Sequence, residues 1–363
     1  MPGKARSERP RQRLRLARSR RTPVAGGPPR RAKGNPWPAP AIGAQGSRAP
    51  CTGSWKTGHH RAVTPALAPT LSLGPVDVYV GAQGGKYPDG NQVIVRGRDA
   101  RMAFDTPPIS NHIGPALDTV DLVVLGHVHE DHMSGLHRLP HAPVHVHHAD
   151  LAAAQSWAGL CRHYGYPAPV LEHQRAKLVE RFHYQPRPDA VGYDDGAVWD
   201  LGGVRVRALH APGHTSGHCV LRVEPMGIAF IGDIDLSGFG PYYGDATGSL
   251  AQFRRTLDDI QRMEATAWIT SHHKGVITDR GTFIGLVQAY ARRIDERQLR
   301  LLQMLSPGPR TLEDLVRQRL LYQPDQHDWW FDCAERHSIA QHLQQGLQDG
   351  TVRQLDDGRW AKV

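Results

Sequence analysis

From residue 71 onward the apolar positions come in short runs broken by Gly, Pro, Asn and Asp, a pattern of many brief strands. Val76-Asp77-Val78-Tyr79-Val80 and Val93-Ile94-Val95, separated by the Pro88-Asp89-Gly90-Asn91 turn, alternate as half-buried strands of a hairpin or meander. Arg101 to Asp105 reads as a further strand, and the proline-bearing stretch Thr106 to Leu117 as a loop. Val120 to Leu125 is nearly all apolar and β-branched, which predicts a fully buried strand that Gly126 ends. Val144 to Asp150 alternates as a strand running into a helix over Leu151 to Tyr164, which Asp150 would cap. Val204 to His210, Gly227 to Ile231 and Ala267 to Thr270 predict three more strands. The period then changes. Phe283, Val287, Tyr290, Ile294, Leu301 and Leu305 follow helical spacing up to the Ser306-Pro307-Gly308-Pro309 stop. Thr311 caps a short helix, a third runs from about Ala334 to Gln348, and a hairpin turns at Asp356-Asp357-Gly358.

Charge changes this picture at one end only. The chain of 363 residues has a formal net charge of +9, but residues 1 to 61 hold 15 of the 44 Lys and Arg residues and a single acid, Glu8. The remainder is mildly acidic, so the basic pI belongs to the N-terminal arm. Residues 1 to 70, rich in Pro and Gly, are expected to be a disordered arm. A basic tail suits nucleic acid, an acidic membrane or an organelle transit signal, and an over-extended reading frame or inert disorder is the favoured reading. No apolar run reaches the roughly 18 to 20 residues of a membrane span, and the N-terminus lacks a hydrophobic signal core. Four cysteines without CxxC spacing do not form a disulfide framework. A cytoplasmic protein with no membrane partner is expected.

Candidate chemistry centres on His127-Val128-His129-Glu130-Asp131-His132, where three imidazoles and the Asp131 carboxylate follow the buried strand directly. A cluster this dense in a chain of 22 histidines could be a surface feature; the downstream chain argues against that. His214 is projected by the Pro212-Gly213 turn, with His210 and His218 as weaker rivals. Asp233 follows an apolar strand and Gly232, and His272 or its neighbour His273 follows the strand Ala267 to Thr270. Four strands thus each deliver a ligand-type residue at their C-terminal ends, which points to one shared site. Imidazole with carboxylate suits zinc or iron better than magnesium or calcium. His127, His129 and His214 would hold one ion; Asp131, His132 and His272 (or His273) a second; Asp233 would bridge them. The second histidine cluster, His145, His147 and His148, reads as structural or substrate-facing.

These four motifs, HVHEDH, HAPGHTSGH, FIGDIDL and TSHHKG, resemble the ordered motifs of the metallo-β-lactamase-fold hydrolases over about residues 71 to 280. The resemblance implies an αββα sandwich over residues 71–281 with a dinuclear site at one edge, usually holding Zn2+, with iron or manganese as alternatives. The family commonly shows one His before Gly in the last motif, so the choice between His272 and His273 stays open. Residues 282–363, three helices and a hairpin, read as a winged-helix-like module resembling the C-terminal domain of the beta-lactamase-like protein 2 group.

A hydroxide shared by two such ions would attack a carbonyl or phosphoryl centre, with Asp131 orienting it and accepting a proton. The favoured substrate is a small thioester or ester, as for hydroxyacylglutathione hydrolases. Only 39 residues separate Asp233 from His272, too few for the nuclease cap domain of this family. Single-strand RNA hydrolysis is the alternative. An iron persulfide dioxygenase or a non-catalytic nucleic-acid-binding protein comes after it. The third helix pairs Arg336 with Glu335 and Asp349, a poor footprint for nucleic acid; it is expected to pack over the site rim or join a homodimer. Tyr242 and Tyr243, in the loop after Asp233, are expected to border the pocket and offer a hydroxyl to an oxyanion.

Overall fold

A computed structural model describes residues 67–328 and 330–363; nearly all of the basic arm therefore lies outside the described residues. Two sheets face each other. The first has seven strands, hydrogen-bonded in chain order: β1 (Leu71–Leu73), β2 (Val76–Tyr79), β3 (Gln92–Arg96), β4 (Arg101–Phe104), β5 (Leu122–Val124), β6 (Val144–His147) and β7 (Val191–Tyr193). Short turns join β1 to β2 and β3 to β4, and a longer loop carrying a single helical turn joins β2 to β3, in an antiparallel meander, whereas crossovers make β4, β5, β6 and β7 parallel neighbours. The second sheet contains β8 (Val198–Asp200), β9 (Arg205–His210), β10 (Cys219–Glu224), β11 (Ile228–Phe230), β12 (Ala267–Ile269) and β13 (Val276–Ile277), in sequential order.

The period of two explains why both faces of most strands are buried. Val93, Val95, Met102, Phe104, Leu122 and Val124 meet Val206, Leu221, Phe230 and Ile269 between the sheets. The intervening residues, Ile94, Ala103 and Val123, point to the other side. There they are covered by α3 (Leu151–Gln155), α4 (Trp157–Tyr164) and α5 (Ala168–Phe182), after the single turns α1 (Ala82–Gly85) and α2 (Pro115–Asp118). The helix expected over Leu151 to Tyr164 is two helices. Ser156 adopts an extended conformation and its side chain accepts from Gly159 N to start α4. On the opposite face Val220, Ala229 and Trp268 pack under α6 (Leu250–Arg262) and α7 (Arg280–Leu305). The order is helix, sheet, sheet, helix.

The helix α7 serves two cores. Phe283, Val287, Tyr290 and Ile294 pack on the second sheet. Leu301 and Leu305, two turns on, pack with Leu315, Ile339, Leu343 and Val352. The C-terminal module is built from this second half, α8 (Leu312–Gln318, with a Thr311–Asp314 capping box), α9 (Phe331–Gln348) and the hairpin β14 (Val352–Gln354) and β15 (Trp360–Lys362). It is joined to the sandwich by a continuous helix, with no linker at residue 282. Among the described residues no helix is long and apolar enough to cross a membrane.

Candidate metal centre

Strand direction gathers the site. β9 and β11 both run antiparallel to β10, and β12 runs parallel to β11, so the C-terminal ends of β9, β11 and β12 share one edge. Gly126, just past β5, accepts a hydrogen bond from Cys219 N at 2.8 Å and draws the first sheet to that same edge. The loops leaving β5, β9, β11 and β12 carry His127 to His132, His214, Asp233 and His272.

Three groups of ligand-type side chains result: His127, His129, His214 and Asp233 form one set and Asp131, His132 and His272 a second, while the third, Asp105 with His127 and His132, shares its imidazoles with those two. His129 Nδ1 lies 3.2 Å from His127 Nε2 and 3.1 Å from His214 Nε2. Asp233 Oδ2 lies 3.3 Å from His214 Nε2 and 3.8 Å from His127 Nε2. In the second set Asp131 Oδ2 is 3.2 Å from His272 Nε2 and 3.6 Å from His132 Nε2. Asp233 Oδ1 completes that set, 3.2 Å from His132 Nε2 and 3.5 Å from His272 Nε2. One carboxylate therefore faces both sets, one oxygen to each.

The far nitrogens of four rings are fixed by partners. His132 Nδ1 pairs with Asp105 Oδ2 at 2.8 Å, and the other Asp105 oxygen accepts from Gly126 N at 2.7 Å. His129 Nε2 pairs with Asp245 Oδ2 at 2.8 Å. Tyr166 and Tyr242 both donate to Asp245 Oδ1, at 2.5 and 3.2 Å. His214 Nδ1 donates to the Tyr242 carbonyl at 3.0 Å, and His272 Nδ1 to those of Gly85 and Asp89 at 3.1 and 2.8 Å. Such partners set the tautomer and aim the opposite nitrogen.

This arrangement fits a bound cation. With the outer nitrogens of His129 and His214 carrying the protons, two bare lone pairs face each other at 3.1 Å, which repels unless positive charge sits between them. His132 Nε2 and Asp233 Oδ1 are buried with no hydrogen-bond partner, although such atoms are nearly always satisfied. Electrostatics agree. Burial alone would lower the His129 pKa, but the hydrogen bond and charge of Asp245 push it up to about 9. Burial is likewise outweighed at His272, pushed up to about 9 by Asp233 and Asp131. Asp233 is held well below the usual carboxylate range against burial by His132, His272 and His127. The pocket is rich in negative charge and fit for metal.

Several residues expected at the site lie elsewhere. His273 is half-buried at a positive φ of 61°, and its Nε2 approaches Asp235 at 3.7 Å rather than either set; the structure brings His272 to the ligands instead. Tyr243 is fully buried away from the ligands, its hydroxyl 2.8 Å from His342 Nε2 and 3.2 Å from Arg297. It offers no hydroxyl to a substrate. The Tyr242 ring does lie 5.9 Å from that of His214, but its hydroxyl is spent on Tyr166 and Asp245. His145 packs edge-on to Trp199, His147 stacks on His210 at 4.3 Å, and His148 pairs with Asp194 at 3.0 Å, all outside the two sets. His218 is no ligand either; it accepts from Asp233 N at 3.2 Å and so aims the carboxylate. Asp150 makes no capping bond. Its oxygens instead accept from Val128 N, Thr215 Oγ1 and Gly217 N at 3.2, 2.7 and 2.8 Å, tying the two histidine loops together.

Three functional residues were not anticipated. Asp105 had a signal, an acid ending an apolar strand as Asp233 does. Asp245 had none, because it lies in an irregular segment. Tyr87 is 44% exposed, its ring 6.4 Å from that of His272 and its hydroxyl 3.0 Å from Glu130. It stands at the rim where the loop's tyrosines were expected.

Comparison with known proteins agrees with this geometry. Residues 103–272 match the family model of the metallo-beta-lactamase superfamily. That segment is a domain of the superfamily, whose members are metal-dependent hydrolases. A hydroxyacylglutathione hydrolase of Hahella chejuensis is 23% identical over 223 residues, covering 61% of this chain and 73% of that one. A beta-lactamase-like protein 2 homolog of Drosophila melanogaster is 23% identical over 254 residues, covering 69% and 77%. Among solved structures, a metallo-beta-lactamase family protein of Thermus thermophilus superposes with a TM-score of 0.58 at 24% identity, covering 76% of this chain and 94% of that one. A beta-lactamase domain protein of Burkholderia ambifaria gives 0.57 at 17% identity, covering 83% and 95%. These two likenesses speak for the fold alone.

Proposed function

We propose that the protein is a dinuclear zinc hydrolase that cleaves a small thioester or ester. The observation that carries the reading is Asp233, whose two oxygens each face a separate set of imidazoles. His127, His129, His214 and Asp233 Oδ2 would hold one ion; Asp131, His132, His272 and Asp233 Oδ1 the other. When bound, zinc lowers the pKa of a water to about 7 and polarises a carbonyl oxygen. The chain's own groups do the rest. Asp131 is kept ionised by His132 and His272 against the effect of burial, so its carboxylate can accept a hydrogen bond and then a proton as the attack proceeds. The outward partners Asp105, Asp245 and the Tyr242 carbonyl keep the ligand nitrogens bare for metal. Tyr87 offers an apolar wall at the rim. The thioester part of the reading is supported by the relative named a hydroxyacylglutathione hydrolase. Arg336, a cation of the third helix, is paired with Glu313, which leaves less charge there for nucleic acid.

The test is metal analysis of the purified chain together with turnover on acyl thioesters, esters, lactones, phosphodiesters and short single-stranded RNAs. Two zinc ions per chain are expected, with thioester or ester turnover that a chelator removes and zinc restores. Cleavage of RNA without any acyl hydrolysis would overturn the substrate class. A single iron per chain would overturn the dinuclear centre.

A further inference from the structure

One half of the metal centre hangs from the C-terminal helices. The outward nitrogens of His129 and His214 are both taken by one short segment, residues 238 to 245. Asp245 Oδ2 faces His129 Nε2 at 2.8 Å, and the Tyr242 carbonyl accepts from His214 Nδ1 at 3.0 Å. The other set depends on different parts of the chain: His132 leans on Asp105, and His272 on the carbonyls of Gly85 and Asp89.

The segment has no regular structure of its own, so something else must fix its shape. Side chains of α7 and α9 do so by taking its carbonyls. Arg293 Nε donates to Gly238 O at 2.7 Å, Arg297 Nη2 to Phe239 O at 2.7 Å and Arg297 Nη1 to Pro241 O. Gln341 Nε2 donates to Tyr243 O, and His337 Nδ1 to Gly244 O, both at 2.9 Å. The Tyr243 hydroxyl is wedged between Arg297 at 3.2 Å and His342 Nε2 at 2.8 Å, and Gln298 holds the other nitrogen of His342 at 2.7 Å. In this run the Tyr242 carbonyl points the other way, to a metal ligand. The grip is strong because Arg297 is buried without a carboxylate partner: its fork is satisfied by two carbonyls and a hydroxyl, and it lies over the Phe239 ring at 5.2 Å. A guanidinium in such a place resists movement, since any shift leaves a buried charge unpaired.

We propose that α7 and α9, acting through residues 238 to 245, position the three-imidazole half of the metal centre, with Arg297 and Asp245 as the positioning residues. The grip sets the affinity for one ion and leaves the other ion's affinity unchanged. This rests on the dinuclear reading above.

The experiment uses the full chain carrying Arg297→Gln, Asp245→Ala or Tyr243→Phe, alone and combined with His214→Ala or His272→Ala. Metal content after dialysis and affinity by chelator competition are measured, with circular dichroism as the check on folding. Each folded single variant should lose its grip on one ion of two. Its Kd should rise by roughly 10- to 100-fold for Asp245→Ala and Arg297→Gln, the usual range for a ligand's hydrogen-bond partner, and less for Tyr243→Phe. Added to His214→Ala, these changes should cost no further metal; added to His272→Ala, they should leave the chain nearly metal-free. Should Arg297→Gln fail to fold, Tyr243→Phe carries the test of the helices, because it keeps the ring and removes only the hydroxyl. Wild type that holds two ions, with folded variants that keep both or weaken both alike, would overturn the proposal. Wild type that binds a single ion would remove the dinuclear reading and the proposal with it.

Discussion

Replacing Asp150 tests whether the two histidine loops are tied by one buried carboxylate. The side chain is 1% exposed. Its Oδ2 accepts from Val128 N at 3.2 Å and Thr215 Oγ1 at 2.7 Å, and its Oδ1 from Gly217 N at 2.8 Å. Val128 lies between His127 and His129, and Thr215 follows His214, so the carboxylate spans the whole three-imidazole set. Asp150→Ala leaves two buried N–H groups without an acceptor, at about 1–3 kcal/mol each, hence a loss of roughly 2–6 kcal/mol. A residue that merely capped α3 would cost about 1 kcal/mol when removed. The size of the effect therefore separates the two roles. Asp150→Asn should fall between, because its oxygen can still serve Gly217 and its amide can donate to the Thr215 hydroxyl, leaving Val128 N alone unpaired. The assay is urea denaturation with chelator present, so that lost metal binding does not enter the stability. An Asp150→Ala loss of about 1 kcal/mol or less, within the capping range, or an Asn variant as damaged as Ala, would refute the reasoning.

Other substitutions probe the site from different sides. Asp233→Ala should weaken both ions, since each set loses one oxygen, and retention of either ion at wild-type affinity by chelator competition would exclude a shared ligand. Asp105→Asn should weaken the second ion by roughly 10- to 100-fold, because an amide facing His132 Nδ1 shifts the ring proton to Nε2, the nitrogen that must be bare; unchanged binding would argue against that role. Acid stability has its own test in His342, whose pKa burial, with help from Arg297 and Arg254, lowers to about 3. Its unfolded pKa of about 6.5 is higher, so the unfolded chain binds the extra proton and stability falls as pH drops through this window. Between pH 7 and 5 the metal-free protein should lose about 2 kcal/mol more than a His342→Asn variant. Parallel pH profiles of the two in denaturant melts would contradict it.

The parts legible in the sequence are those where chemistry and period coincide locally. A six-residue run holds His127, His129, Asp131 and His132, and each remaining ligand follows an apolar strand of recognisable pattern, so the edge on which they meet could be inferred from strand ends alone. The period of two marked individual strands and the three-and-four spacing after Thr282 marked a long helix, but the layer order came only from the resemblance carried by the four motifs. What could not be read is the set of second partners. Asp105, Asp150 and Asp245 lie 27, 21 and 116 residues from His132, His129 and His129 in the chain; the parallel pairing of β4, β5 and β6 brings the first two close, and the third arrives on the segment after β11. Asp150 is the instructive case. An acid at the head of a helix has a local explanation in capping, and the local explanation hid a tertiary one.

The tyrosine loop shows a different boundary. Strands and helices have a side-chain period, so a residue's face can be counted from its neighbours. Residues 238 to 244 have no such period, and whether Tyr242 or Tyr243 faced the ligands had no rule to decide it. The structure turns Tyr243 wholly into the interface with α7 and α9 and gives the Tyr242 hydroxyl to Asp245. The loop's contribution to the centre then comes from a backbone carbonyl and from Asp245, neither of which a search for a hydroxyl donor would find. A carbonyl is present at every position and marks none. Its role follows only once the helices that hold the neighbouring carbonyls of the loop are in place, so an expectation that the third helix packs over the site rim or joins a homodimer could not name the atoms through which α7 and α9 reach the loop.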